Sequence, residues 1–211
     1  VCFDFWAPFA GWFQAEQPGL RLEVLSTMQY LDLARGEADL AIRSKPPAHA
    51  DVETVCTIDV ENAVYVSKAL AEKLPKKPSL AEIPWIGWAP PFENIPPQPQ
   101  LEAMIDGFTP VFTADNFLVH LAAAEAGVGA MVLSLIYHRF ARQNSLIALP
   151  VDLGPWAKVT AYLLSAKSGL DIPRVRIVAQ AVEREMRAAT NAKARRSRSK
   201  VGERASKLSL G

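Results

Sequence analysis

The alternation of hydrophobic and polar residues near the start of the chain predicts a β-α-β unit. Leu20, Leu22 and Val24 alternate with charged residues, which is the pattern of a strand with one buried face. Residues 30–34 then carry apolar side chains at helical spacing, and residues 38–42 form a short apolar run typical of a buried strand. Because two strands joined by a helix normally lie parallel, we expect a parallel sheet to begin here.

Strands and helices continue to alternate along the rest of the chain. Further helices are expected at 8–17, 68–74, 116–126, 135–143 and 173–188, and further strands at 85–88, 111–113, 130–133, 146–149 and 159–164. Five prolines within residues 90–99 predict an irregular surface segment. This order of elements indicates an α/β fold with mainly parallel sheets.

Composition and charge narrow the class of protein. Of the 211 residues, 50% are hydrophobic and 21% are charged, as in ordinary globular proteins. The formal net charge of +1 gives no overall attraction to nucleic acid or membranes. The longest apolar stretch, around residues 126–136, is shorter than the ~20 residues that span a bilayer. No secretory signal is visible, so we expect a cytoplasmic protein.

Cysteine and histidine residues do not predict a metal or redox site. Cys2 and Cys56 lack the spacing of a C-x-x-C pair, and we expect both to be small apolar fillers in a reducing compartment. His49, His120 and His138 have no carboxylate or cysteine beside them at metal-ligand spacing. We therefore expect no metal and no cofactor, and we interpret His120 as a structural residue.

Residues 190–211 differ in composition from the rest, and we expect a disordered basic tail there. A single acidic residue, Glu203, stands among Lys193, Arg195, Arg196, Arg198, Lys200, Arg204 and Lys207. Such a run can make salt-sensitive contacts with phosphates, although it lacks the aromatic residues that stack on bases. A solvated tail without a partner is the favoured interpretation.

Several local sequences together resemble the effector-binding domain of LysR-type transcriptional regulators. They are AEQPGLRLEVL and DLARGEADLAIR near the start, SLAEIPWIGW at 79–88, FTADNFLVHLAAAEAGVGAMVLS at 112–134, and then VTAYLLSAK. Their order and spacing cover roughly residues 9–188. The resemblance implies a sensor of small molecules with a two-lobed α/β fold similar to type 2 periplasmic binding proteins.

The resemblance also implies how the chain is divided. Residues 1–61 and 159–189 would belong to lobe one and residues 62–158 to lobe two, with the effector in the cleft between them. The family's first strand of lobe one is expected to be missing or reduced to VCFDF. The winged helix-turn-helix of the family has no counterpart in this sequence, so DNA contact would need that absent element. A homodimer through the effector domain is implied as well.

Eight residues are expected to bind the effector. Ligands of open α/β sheets lie beyond the carboxyl ends of strands, and the resemblance places the loops at these ends in the cleft. The helix N-terminus at Asn116 favours a carboxylate, whereas Asp115 is interpreted as a plain helix cap. Arg43 is a candidate partner for an acidic effector, with an exposed ion pair as the alternative. The expected site comprises Ser26, Thr27, Ile42, Arg43, Thr113, Asn116, Leu133 and Ser134.

Two other classes of function remain as alternatives to an effector sensor. A free solute-binding receptor of the periplasmic type needs export, for which the sequence has no visible signal. An enzyme on an α/β scaffold needs chemistry such as a nucleophile elbow, a metal set or a phosphate loop, and we find none of these motifs. We therefore do not expect catalysis.

Overall fold

The computed structural model describes residues 5–27, 29–135, 139–140 and 145–208, with side chains up to Thr190 except that of Leu135. The helices are α1 (Ala7–Glu16), α2 (Lys68–Ala71), α3 (Gln98–Met104), α4 (Phe117–Glu125), α5 (Lys167–Leu170) and α6 (Pro173–Leu208), with 3-10 turns at Leu80–Glu82 and Gly154–Ala157. The strands are β1 (Leu40–Arg43), β2 (Val52–Ser67), β3 (Ile86–Trp88), β4 (Phe112–Ala114), β5 (Met131–Leu135), β6 (Leu146–Ala148) and β7 (Lys158–Ala166).

The chain forms two compact units. The first unit contains Val1–Val60, Ile136–Arg142 and Thr160–Gly211, and the second contains Glu61–Leu135 and Gln143–Val159. The long strands β2 and β7 each pass from one unit into the other. The α/β class expected from the sequence is therefore confirmed, and the helices and strands are divided between the two units.

The core of the first unit begins with an aromatic helix. Phe9 and Phe13 of α1 are 0% and 2% exposed, and their rings stack with centroids 5.4 Å apart. The guanidinium of Arg139 lies 4.1 Å from the ring centroid of Trp12 and forms a bidentate ion pair with Glu185 of α6, at 2.9 and 3.0 Å. This arginine therefore ties α1 to α6 within the unit.

Helix α6 presents its predicted apolar stripe to this core. Val175, Val178, Val182 and Met186 are all buried, as their helical spacing predicted. The helix ends at Leu208 rather than near residue 188, so its backbone is helical through most of the segment that was expected to be disordered. Alanine, lysine and arginine dominate that segment, and these residues have high intrinsic helix propensity.

Cys56 packs against α6 as the small apolar filler that the sequence suggested. It is 8% exposed, and its Sγ lies 3.7 Å from the Sδ of Met186. Burial, reinforced by the nearby charge of Glu183 and opposed by that of Arg187, raises the pKa of the Cys56 thiol to about 11. The thiol is therefore protonated and unreactive at neutral pH. Cys2 lies outside the described residues.

The β-α-β unit predicted at the start of the chain is wrong. Residues 20–27 form no strand, and residues 33–36 form a turn instead of a helix. In that turn, Asp32 Oδ1 accepts hydrogen bonds from the backbone N–H groups of Ala34 and Arg35. The alternating pattern of residues 20–24 failed because a strand needs a neighbour to satisfy its backbone, and no described strand pairs with this segment.

The expectation of mainly parallel sheets is also wrong in detail. The larger sheet has the order β1-β7-β2-β5, with β6 also paired to β2. The β1–β7, β2–β5 and β2–β6 ladders are antiparallel, whereas β3–β4 is parallel. Hydrophobic runs mark strands as buried without giving their direction, so the antiparallel ladders that β7 forms with β1 and that β2 forms with β5 and β6 were not visible in the pattern. Residues 1–4 of the expected VCFDF strand lie outside the described residues, and Phe5 begins a helical turn.

The core of the second unit lies on both faces of the short strands. One cluster contains Val64, Val66, Trp85, Leu101 and Ala130, each less than 4% exposed. A second cluster packs α4 against β5 through Ala124 and Met131, together with Tyr65 and Ile86. The consecutive residues Trp85 and Ile86, at the start of β3, thus belong to different clusters and join the two.

Candidate functional site

The carboxyl ends of three strands meet at one edge of the second unit. Strand β3 pairs in parallel with β4, and a parallel bridge between Trp85 and Ala130 joins β3 to the start of β5. The Ile86 N–H donates to the Ala130 carbonyl at 2.9 Å, which sets the register of that bridge. The segments after β3, β4 and the end of β5 therefore share the edge at which open α/β sheets bind ligands. We call this edge the β3–β5 edge.

Helix α4 begins at the β3–β5 edge, directly after β4. Asn116 is its N-cap, and the Asn116 Oδ1 accepts a hydrogen bond of 2.8 Å from the Leu118 N–H. The interpretation of Asp115 as the cap is therefore wrong by one residue, because asparagine in the extended conformation reaches the second helical N–H. Thr113 is exposed in β4, where it pairs with Gly87. Both predicted residues, Thr113 and Asn116, thus lie at or beside this edge.

A hydrogen-bonded pair lies at the end of β5. The Ser134 hydroxyl donates to the Asn62 Oδ1 at 2.7 Å, and the Asn62 Nδ2 donates to the Trp156 carbonyl at 2.9 Å. Asn62 and Ser134 are also opposite one another in the β2–β5 ladder. Sequence reasoning named Ser134 and missed Asn62, since the two are distant in the chain and no motif links them. The neighbouring Leu133 is half-buried and packs on the α4 cluster.

The predicted residues of the first unit have local structural partners. The Thr27 Oγ1 accepts a hydrogen bond of 3.1 Å from the Gln29 N–H, and Ser26 is exposed beside it. Ile42 is half-buried in β1 opposite Leu163. Nothing in these contacts points to a ligand.

Arg43 is engaged with the loop that precedes β1. Its Nη2 donates to the Leu31 carbonyl, and its guanidinium lies 4.9 Å from the ring centroid of Tyr30. The carbonyl and the ring both attract the positive charge of the guanidinium, and these two contacts account for its position without an acidic ligand or an exposed ion pair. Arg43 therefore holds residues 30–31 against the sheet edge.

His120 lies beneath the start of α4 and is 4% exposed. Its Nε2 lies 2.9 Å from the Ala114 carbonyl, and its ring centroid lies 4.3 Å from that of Trp88. Burial lowers the pKa of His120 below 6.5, although hydrogen bonds to the Ala114 and Gly87 carbonyls and the charge of Asp115 act in the opposite direction. The neutral imidazole therefore joins β3, β4 and α4, in agreement with the structural interpretation.

Lowering the pH is expected to destabilise the protein through His120. The unfolded chain binds a proton at this residue near pH 6.5, whereas the folded protein binds it at a lower pH. The contribution of the neutral His120 to the free energy of unfolding is therefore complete above about pH 6.5. It is lost as the pH falls toward the pKa of His120 in the folded state. Urea unfolding of wild type and His120→Gln at pH 7.5 and 5.5 measures this loss, which the variant is expected to reduce.

The exposed Asn94 supplies the control for that experiment. Its side chain does not titrate, so Asn94→Gln should leave the loss of stability between the two pH values unchanged. An equal loss in wild type and His120→Gln contradicts the assignment.

Neither a metal site nor a membrane span occurs in the part of the chain that the structure describes. No group of three His, Cys, Asp or Glu side chains there is placed to hold a metal ion. Among the same residues, no helix combines the length and the apolar character needed to cross a bilayer.

Comparison with solved structures finds the α/β architecture of this chain in other proteins. The regulatory domain of CrgA, a LysR-type transcriptional regulator from Neisseria meningitidis, matches with a TM-score of 0.65 at 20% identity, over 87% of this chain and 93% of that chain. A reduced form of OxyR from N. meningitidis matches with a TM-score of 0.56 at 16% identity, covering 90% of this chain and 89% of that one. These likenesses establish the fold.

Full-length regulators extend beyond the region that this chain matches. AphB, a virulence activator from Vibrio cholerae, matches with a TM-score of 0.59 at 16% identity. The matched region covers 86% of this chain and 64% of the AphB chain. No curated protein sequence matches the chain. The family model described as the LysR substrate binding domain matches residues 1–187. The chain therefore belongs to the family of LysR substrate-binding domains, with the type 2 periplasmic-binding-protein-like α/β fold of that family.

Proposed function

We propose that this chain senses a small organic acid for a LysR-type transcription regulator, and that the β3–β5 edge supplies part of the binding site. The observation that carries the proposal is the convergence of three strand ends with the Asn62–Ser134 pair and the N-terminus of α4. Oriented hydroxyl and amide groups at such an edge recognise polar ligands, since they are fixed before the ligand arrives.

The N-terminus of α4 favours an anionic ligand. Backbone N–H groups and the helix dipole give the first turn a partial positive charge. The Asn116 side chain occupies one of these groups, the Leu118 N–H, and the carboxylate of Asp115 opposes an anion. Ser134 donates its hydroxyl hydrogen to Asn62, so selectivity for the acid depends on the second N–H of the Asn62 amide as well as on the helix.

The remaining effector-binding assignments and partners belong to the same proposal. Ser26, Thr27, Ile42 and Arg43 of the first unit are proposed to contribute to effector binding, with Arg43 acting by holding the Tyr30 loop. We infer that a homodimer relays effector binding to DNA through a helix-turn-helix in the cytoplasm, and that the domain is not an enzyme. Membership of the LysR family supports this part of the proposal.

Organic acids are expected to raise the melting temperature more than neutral sugars do. The acid that shifts the melting temperature most is then titrated by calorimetry against wild type and Asn62→Ala. The variant removes both hydrogen bonds that orient the edge, so we expect about tenfold weaker binding, equivalent to about 1.4 kcal/mol.

The control is Asn94→Ala, which makes the same chemical change at an exposed loop position of the same unit. Its affinity for the acid should equal that of wild type. Equal affinities of Asn62→Ala and Asn94→Ala for the acid would show that the β3–β5 edge is not part of the binding site. A panel in which no acid raises the melting temperature would exclude acid sensing.

A further inference from the structure

Helix α6 continues past the residues that pack in the core of the first unit. Val178, Val182 and Met186 anchor it there, and Ala189 is its last buried residue among the side chains that the structure describes. The helical backbone runs on to Leu208. Residues 190–208, which we call the α6 extension, make a helix of about 28 Å at a rise of ~1.5 Å per residue. The extension therefore starts from a fixed point and has a regular backbone.

The α6 extension carries positive charge without the acidic partners found earlier in the same helix. Upstream, Glu183 pairs with Arg187 at 2.7 Å, and Glu185 pairs with Arg139 at 2.9 Å. In the extension, Glu203 is the one acidic residue. Its basic residues are Lys193, Arg195, Arg196, Arg198, Lys200, Arg204 and Lys207. Since the whole chain has a formal net charge of +1, positive charge is concentrated in this segment.

Five of these basic positions have the spacing of one helix face. Each lies three or four residues after the one before it, at positions 193, 196, 200, 204 and 207. They cover about 21 Å of helix, which is the length of about six base pairs of DNA at ~3.4 Å each. Like charges at this spacing repel one another, and a polyanion that neutralises them removes the repulsion. The face therefore suits a row of phosphates.

The composition of the α6 extension distinguishes between polyanionic partners. Helices that lie on membranes bury a face rich in tryptophan, phenylalanine and leucine, whereas the extension has no aromatic residue and its large apolar residues are Val201 and Leu208. Unpaired bases stack on aromatic side chains, so single-stranded nucleic acid is not favoured either. We propose that the α6 extension binds the phosphate backbone of double-stranded DNA without sequence preference, independently of the effector site proposed above.

Binding is measured by the fluorescence anisotropy of a labelled DNA duplex of arbitrary sequence, with the whole chain as the protein. Each neutralised phosphate contributes about −0.9 to the slope of log K against log salt concentration, so five contacts predict a slope of about −4 to −5. Raising the salt from 50 to 200 mM should therefore weaken binding by about 10²–10³-fold. A second duplex of unrelated sequence should bind with the same affinity.

Removal of the basic face tests the location. The test variant carries Lys193→Gln, Arg196→Gln, Lys200→Gln, Arg204→Gln and Lys207→Gln. Glutamine has nearly the helix propensity of lysine and arginine, so the circular dichroism should be unchanged while the affinity at 50 mM salt falls at least tenfold. The matched control removes the same charge from exposed lysines outside the extension and should lose at most threefold. It carries Lys45→Gln, Lys68→Gln, Lys73→Gln, Lys76→Gln and Lys77→Gln.

Ala194→Pro tests the helix without changing the charge. Proline interrupts α6 at the start of the extension and separates four of the five charges from the anchored part of the helix, so binding should weaken at least threefold. Equal losses in the two glutamine variants, unchanged affinity in Ala194→Pro, or binding without salt dependence would overturn the proposal. Binding to vesicles that contain phosphatidylserine, without binding to the duplex, would overturn it in favour of a membrane contact.

Discussion

Replacing Phe9 with alanine is expected to lower the free energy of unfolding by about 3–5 kcal/mol. The Phe9 ring is 0% exposed and stacks between Phe5 and Phe13, with centroid distances of 5.5 and 5.4 Å. Trp6 and Phe140 contact its edges at 5.8 and 6.2 Å. Alanine leaves a cavity and removes these ring contacts together, and no neighbouring ring can collapse into the gap without giving up its own partners.

The loss is measured by urea unfolding at neutral pH. The control is Leu118→Ala at a position of α4 that is 47% exposed, where we expect a change within about 0.5 kcal/mol. Since a domain of this size is stabilised by about 5–15 kcal/mol, Phe9→Ala removes a large part of the total. A loss below about 1 kcal/mol in Phe9→Ala would mean that α1 contributes little to the first unit.

Gly129→Ala is expected to destabilise the protein by about 1–3 kcal/mol. A Cβ atom at this buried glycine would lie 2.9 Å from the Pro84 carbonyl oxygen and 3.1 Å from the Ile86 Cγ1. The Pro84 oxygen cannot move away, because it accepts the 2.7 Å hydrogen bond from the Ala130 N–H that joins β3 to β5. The substitution therefore separates the two strands whose ends form the β3–β5 edge, and acid binding should weaken with stability.

Gly11→Ala is the matched control, since it makes the same chemical change with the opposite expected sign. Nothing lies within 4 Å of a Cβ built on Gly11 in α1, so the higher helix propensity of alanine should stabilise the protein by up to about 1 kcal/mol. Thermal and urea unfolding of both variants check the pair. A neutral Gly129→Ala would show that β3 and β5 tolerate a wider separation.

Helix α4 shows what could be predicted reliably from the sequence. Its apolar residues, its capping segment at 115–116 and the terminating Gly127 are local signals, and the helix was found within a residue or two of its predicted ends. Gly127 has a φ of +81°, the left-handed conformation that glycine adopts at helix ends. Local backbone chemistry decides such boundaries, so a single sequence is sufficient.

The segment 20–24 shows where that reasoning fails. The alternation of Leu20, Leu22 and Val24 is real, yet Val24 is 38% exposed and the segment is not a strand. A strand is stabilised by its partners, and partners are a property of the tertiary arrangement. For the same reason, only Ser134 of the Asn62–Ser134 pair was predicted. Its place near the end of a strand is a local signal, whereas its contact with Asn62 spans 72 residues.

The sequence by itself determined the family, the α/β class, the apolar stripe of α6 and the place of Ser134 near the end of β5, because each is recorded in local stretches of the chain. Only the tertiary structure decided the direction of β2 and β7, the engagement of Arg43 with Tyr30 and the orientation of Ser134 by Asn62. These depend on which distant segments meet, and a pattern of hydrophobic positions records burial without naming the partner.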